Sequence, residues 1–417
     1  MGLLPLVISF LVFVPLAWLA GRVLPERHRA KALAVLNLLA LYPLCVLAGS
    51  GGVRFYELPS FLAAAALAYA VYLLIVLAQY RLMRDYSGGA DRQAWIPILF
   101  PIVALVAVKL LPASWLPLVR HTRFTAGRIL PALLLGISYM AFRLSHLAME
   151  VRTAVVPRPA LAQYLGYAFF VPTLAVGPIN PYSRHISNPA GTPIEPGRAL
   201  LRLLVGFTKY IFLANLVNQL SYAGLLFDGH PHAPLDLLVA MFASYLYLYL
   251  NFSGYCDMAI GAAGLLGFPV MENFDNPFAA RNVREFWNRW HITLSLFMRD
   301  MVFTPLSKKL VALFGVRHAN HAVAVAIVVV FVLIGLWHGL AWNFLLFGVL
   351  HAAAVVVNHY YTVALKRRLG AAGFARYNRN QAVRALAIAA TFTYVAFTVM
   401  FFFNSLADLK AIALLIR

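Results

Sequence analysis

The stretch HAVAVAIVVVFVLIGLWHGL, residues 321–340, decides the fold. From Ala322 to Trp337 it carries no charged or histidine side chain, and a helix needs roughly 20 mostly apolar residues to cross a bilayer. Further apolar runs fall near 3–20, 32–50, 60–80, 94–111, 129–149, 161–176, 200–220, 235–252, 343–364 and 383–403. The chain therefore reads as an all-α polytopic membrane protein with ten to twelve membrane-embedded helices, forming a single membrane domain over 1–417. The stretch 256–268 is apolar but short, and reads as re-entrant. Residues 169–185, FFVPTLAVGPINPYSRH, hold Pro172, Gly177, Pro178 and Pro181 and read as a broken helix.

Composition agrees. Apolar residues make up 62% of the 417 and charged ones 12%, about half the charged share of an ordinary soluble domain. Mean hydropathy is +0.79. The net charge of +20 comes from 34 Lys and Arg against 14 acids. Basic residues collect in cytoplasmic loops and beside anionic headgroups, so the excess points to the lipid bilayer and an acidic partner rather than nucleic acid. Cys45 and Cys256 are two isolated thiols and form no disulfide framework or zinc site. HExxH, P-loop and GxGxxG signatures are absent, and no metal is expected.

Loop 21–31 carries Arg22, Arg27, Arg29 and Lys31, loop 51–59 only Arg54, and loop 81–93 Arg81, Arg84 and Arg92. That alternation places the N-terminus outside and the first and third loops in the cytoplasm. Loop 112–128, with Arg120, Arg123 and Arg128, breaks the alternation.

Residues 271–311, MENFDNPFAARNVREFWNRWHITLSLFMRDMVFTPLSKKLV, are too charged to span lipid and too aromatic for a plain loop. Asp275-Asn276-Pro277 signals a turn, and Asn282 with Glu285 fits a capping box. Phe286, Trp290, Leu294 and Phe297 recur at helical spacing as an apolar stripe, beside a polar stripe of Asn288, His291, Ser295 and Arg299. The segment reads as a partly embedded amphipathic helix, either anchored at the interface by Trp287 and Trp290 or lining a polar cavity. Glu285 and Arg289 are spaced as a helix-surface ion pair.

His338 is the outstanding candidate for chemistry. Ionisable groups in apolar spans are expensive and face bundle interiors or cavities. Gly335 and Gly339 beside it permit close helix approach. His291 is the second candidate. Arg143 and His146 sit in GISYMAFRLSH, within reach of an acid such as Glu150 or of the same cavity. Asn251, Ser253 and Asp257 place polar groups in the Gly-interrupted segment NFSGYCDMAIG, with Asp257 the acid expected to face inward or to cap a helix. A buried imidazole stays neutral and can accept a proton from an attacking hydroxyl. The same inventory suits proton-coupled transport or a flippase, and composition does not choose between them.

The motifs REFWNRWHITLS (284–295), GLWHG (335–339) and NFSGYCDMAIGAAGLLGF (251–268), with GISYMAFR (136–143) and FFVPTLAVGPI (169–179), resemble the membrane-bound O-acyltransferase family over most of the chain. The run ENFDNPFAARNVREFWNRWH resembles its D-alanyl-transfer branch. The neighbouring alginate O-acetyltransferase branch resembles FWRRWHISLS followed by a Gly-rich stretch, where this chain has Asn288 and then Thr304-Pro305-Leu306-Ser307-Lys308.

The resemblance implies a ring of helices around a thin centre with a funnel on each side. It implies His338 as catalytic base and His291 as a second catalytic histidine that positions donor or acceptor. Trp287, Asn288 and Arg289 are the implied tunnel-lining residues, and Trp290, Ser295, Asn251, Asp257 and Trp337 are further candidates to line substrate or tunnel. No tightly bound cofactor is implied. The acyl group arrives as a phosphopantetheine thioester on a small acidic carrier protein and leaves on a hydroxyl of an envelope polymer such as teichoic acid. The expected location is the bacterial cytoplasmic (inner) membrane. Exopolysaccharide O-acetylation is the alternative within the family.

Overall fold

The computed structural model describes residues 8–49, 58–86, 92–110, 134–188, 194–227 and 230–415. Loop 112–128 and most of loop 51–59 lie outside them. The described residues are helical apart from turns, extended linkers and isolated bridges such as the antiparallel pair Phe274 and Trp290. Eight of these helices are long and apolar enough to cross a membrane. Of the remaining apolar runs, 3–20 falls partly in the shorter helix Ser9–Val23, and 129–149 in Ile137–Arg152. The run 161–176 breaks into Leu161–Ala168 and the single turn Val171–Leu174, with Pro172 in that turn, as its prolines foretell.

The chain forms two compact units, Met1–Gly206 with Tyr255–Met271, and Phe207–Gly254 with Glu272–Arg417. In the first unit, polar groups at depth are matched by specific partners. Arg143 is fully buried and donates to the Thr173 hydroxyl (2.7 Å) and the Ala168 carbonyl (2.9 Å). The Ala168 carbonyl is available because the helix Leu161–Ala168 ends there, and Thr173 sits in the short turn that follows. Glu150 pairs with His146 (3.7 Å), not with Arg143, and accepts from the Tyr182 and Ser183 amides and the Ser183 hydroxyl. The segment 256–268 is not re-entrant; through Leu265 it continues the 32-residue helix Pro234–Leu265.

The second unit is organised by a helical hairpin, Ala319–His338 and Trp342–Arg379. The two arms run antiparallel, with Gly335 against Phe344 and Gly348 near the tip and His321 bonded to Tyr360 (2.7 Å) at the open end. At Gly335 a β-carbon would lie 2.5 Å from the Phe344 carbonyl oxygen, so only glycine allows this approach. The second arm changes direction at Gly370 (φ 65°). Asn380 then caps the next helix, Gln381–Phe403, by accepting from the amides of Ala382 and Val383.

Candidate active site

Both histidines expected to be catalytic, His338 and His291, fall in the second unit, whereas His146 lies in the first. Asn282 accepts from the Glu285 amide and opens the helix Val283–Arg289. Only half of the expected capping box forms, because the Glu285 carboxylate turns to the Arg281 amide and to the guanidinium groups of Arg281 and Arg289. The amphipathic segment is not one continuous helix. Trp290 is extended and His291 left-handed (φ 45°, ψ 50°), after which Ile292–Met298 starts a second helix. Periodicity runs through the break because Phe286, Trp290, Leu294 and Phe297 are all buried, on both sides of it.

The break is clamped by Asn273–Asp275. The Asn273 carbonyl accepts from the Ile292 amide (3.1 Å), and its side-chain oxygen accepts from the Thr293 amide (3.1 Å) and hydroxyl (2.7 Å). The Asp275 amide donates to the Arg289 carbonyl (3.0 Å). Ser295 braces the turn from the far side, its hydroxyl donating to the Trp287 carbonyl (2.9 Å). A non-glycine residue in the left-handed region costs roughly 1–2 kcal/mol, and these bonds hold His291 there.

The effect is to bury the His291 ring. It lies edge-on to Phe252 at 4.7 Å between ring centres and 6.2 Å from Trp337, which in turn lies 4.5 Å from His338. Burial pushes the His291 imidazole down from 6.5 to about 3, with a smaller contribution of the same sign from His338. His291 is thus neutral at physiological pH. His338 ends its helix, half-buried, with its ring facing Phe402 (4.9 Å), Phe344 (6.2 Å) and Phe347 (6.3 Å). The two imidazoles share one neighbourhood, roofed by Trp337.

The other expected residues divide by role. Trp287 is buried and donates its indole N–H to Nδ1 of His351 (3.1 Å). His351 in turn meets the Thr398 hydroxyl at 2.9 Å through Nε2, and that hydroxyl donates to the Val395 carbonyl. Since an indole only donates, His351 is neutral with its proton on Nε2. Trp290 stacks on Phe286 at 5.4 Å and meets Phe274 edge-on at 5.0 Å. Arg289 forms the foreseen pair with Glu285 (3.0 Å) and also donates to the Asp275 carbonyl (3.1 Å). Asn288 is exposed and faces a polar cavity. Asn251 hydrogen-bonds Tyr210.

Asp257 belongs to the first unit. It is no helix cap; it lies within the helix Pro234–Leu265, and its carboxylate accepts from both Nε and Nη2 of Arg202 at 3.0 Å. Its charge is therefore matched inside the apolar layer, as an ion there requires.

His351 and Asn273 were not foreseen. His351 lies in the run 343–364 and carries the same signal as His338, an ionisable side chain in an apolar span. Asn273 carries none, because its partner Thr293 is 20 residues away.

Comparison with known proteins identifies the family. The family model for MBOAT, the membrane-bound O-acyltransferase family, matches residues 52–402. The chain is 27% identical over 359 residues to a teichoic acid D-alanyltransferase of Streptococcus thermophilus, covering 83% of each. It is 33% identical over 220 residues to a peptidoglycan O-acetyltransferase of Helicobacter pylori, covering 50% of this chain and 40% of that one. To a probable alginate O-acetylase of Pseudomonas aeruginosa it is 30% identical over 223 residues, covering 52% and 41%. The chain is a multi-pass membrane protein and belongs to the membrane-bound O-acyltransferase family.

Proposed function

We propose that this acyltransferase moves D-alanine, or a similar small acyl group, from a phosphopantetheine thioester on a small acidic carrier protein to a hydroxyl of a cell-envelope polymer such as teichoic acid. The carrier delivers from the cytoplasm, and the chain resides in the bacterial cytoplasmic membrane. The observation that carries the reading is the neighbourhood of His338, Trp337 and the buried, neutral His291.

In this reading His338 accepts the proton of the acceptor hydroxyl as its oxygen attacks the thioester carbonyl carbon. A C–O bond forms, and the tetrahedral intermediate collapses with cleavage of the C–S bond. The departing thiolate takes the proton back from His338, leaving ester and free thiol. His291, neutral at the working pH, orients donor or acceptor without adding a competing charge. The aromatic surround excludes water, which otherwise hydrolyses the thioester.

Coverage of 83% of the D-alanyltransferase favours D-alanine as the group moved. The O-acetyltransferase relatives, matched over about half of this chain, support O-acetylation as the second reading. Incubating the purified protein with carrier loaded with D-alanine or with acetate, and following carrier-dependent ester formation, separates the two. Translocation without a new ester contradicts both.

A further inference from the structure

The second unit holds a cavity of about 490 Å³ whose lining includes Asn288 but not His291, Trp337 or His338. It lies between the start of Val283–Arg289, the later part of Trp342–Arg379 and the first turns of Gln381–Phe403. Its lining carries three arginines, Arg281, Arg284 and Arg384, and one acid, Glu285. Glu285 is already neutralised by Arg281 (2.9 Å) and Arg289 (3.0 Å). Arg284 and Arg384 face the cavity with no counter-ion within it. Lys366 stands beside it, over the Phe374 ring at 5.2 Å.

Two further features define what fits. The wall is not uniformly polar: Leu365, Phe374, Val383 and Ala387 line it as well. Tyr361, at 50% exposure, lines it too, and beside it the helices present Val357 and Leu386 outward, at 67% and 72% exposure. Between Asp300 and Asp408 the chain has nine basic residues and no acid, and the hairpin from Arg317 to Lys366 has no charge between those two. The bases thus gather at the open end of the hairpin, which by the positive-inside rule is the cytoplasmic end.

We propose that this cavity binds the headgroup of an anionic glycerophospholipid of the cytoplasmic leaflet. Arg284 and Arg384 engage the phosphodiester, and the acyl chains lie along the exposed face of Val357, Tyr361 and Leu386. A basic pocket between membrane helices on the cytoplasmic side is the kind of site that holds anionic headgroups. The combination of uncompensated arginines with an adjoining apolar face selects an amphiphile over a soluble phosphate. The inference does not rest on the proposed acyl-transfer reading, and of the expected tunnel residues the cavity shares only Asn288.

The test is native mass spectrometry of the detergent-purified full chain, titrated with dioleoyl phosphatidylglycerol or dioleoyl phosphatidylcholine. Phosphatidylglycerol should bind more tightly. The double variant Arg284→Gln/Arg384→Gln should weaken it by about tenfold or more, the scale expected for two interfacial arginines, without changing phosphatidylcholine binding. Arg284→Lys/Arg384→Lys should keep most of the preference, which controls for misfolding. Equal affinity for the two lipids, or an unchanged preference in the double Gln variant, overturns the proposal. So does displacement of phosphatidylglycerol by equimolar glycerol 3-phosphate or inorganic phosphate, which would mark a site for soluble phosphate.

Discussion

Replacing Asn273 by alanine should unhinge the turn that carries His291, and its size can be worked from the bonds. The Asn273 side-chain oxygen accepts from both the amide and the hydroxyl of Thr293, and both residues are buried. Each such bond contributes about 1 kcal/mol net, and a buried polar group left without a partner costs about 1–3 kcal/mol. Asn273→Ala should therefore destabilise the second unit by about 3 kcal/mol. Thr293→Val removes only the hydroxyl bond and should cost about 1 kcal/mol. In the double variant no hydroxyl remains to be orphaned, so the effects should fall short of additive by about 1 kcal/mol. Denaturant unfolding in mixed micelles, followed by the fluorescence of the seven tryptophans, three of which (Trp287, Trp290 and Trp337) surround the turn, measures all three variants. The same preparations should show acyl transfer falling with Asn273→Ala, because the left-handed His291 loses its clamp. Additive effects, or an Asn273→Ala protein as stable and active as the parent, refute this account of the turn.

Gly335→Ala should weaken the hairpin by about 1–3 kcal/mol, since the added methyl meets the Phe344 carbonyl at 2.5 Å; thermal melting reads it directly. Trp287→Phe keeps an aromatic ring but leaves Nδ1 of His351 without its donor, for a loss of about 1–3 kcal/mol, and pairing it with His351→Leu should recover part of that loss. The pH dependence follows from His291, whose folded-state pKa is lowered from 6.5 to about 3. Protonation there favours the unfolded chain, so its stabilising contribution is complete above pH 6.5 and is lost progressively as pH falls toward about 3. His291→Asn, which tolerates the left-handed backbone, should make stability less dependent on pH in that window. A difference between parent and variant that does not change with pH contradicts burial of a neutral imidazole.

Much of the architecture was legible because bilayer physics is blunt. Apolar runs of spanning length located all eight long helices, and the prolines after Phe170 foretold the break there. His338 was legible as a costly side chain in an apolar run. His351, equally costly, went unremarked among the residues 343–364. The turn at His291 was hidden for a different reason. Phe286, Trp290, Leu294 and Phe297 keep helical spacing, and nothing local says that the backbone reverses hand at His291. The forces that impose the break come from Asn273 and Asp275, earlier in the chain, and from the aromatic packing of Trp290. Asp257 shows the same limit: its partner Arg202 lies 55 residues away, and charge in a span says only that some partner exists.

The central claim is that His338 is the base for acyl transfer. The most direct measurement is single-turnover ester formation by purified His338→Ala, in detergent, with loaded carrier and the acceptor polymer. The variant should melt like the parent and still bind carrier, with transfer reduced at least about 10²-fold, the low end of what a positioned general base contributes. Transfer near the parental rate by the folded variant contradicts it.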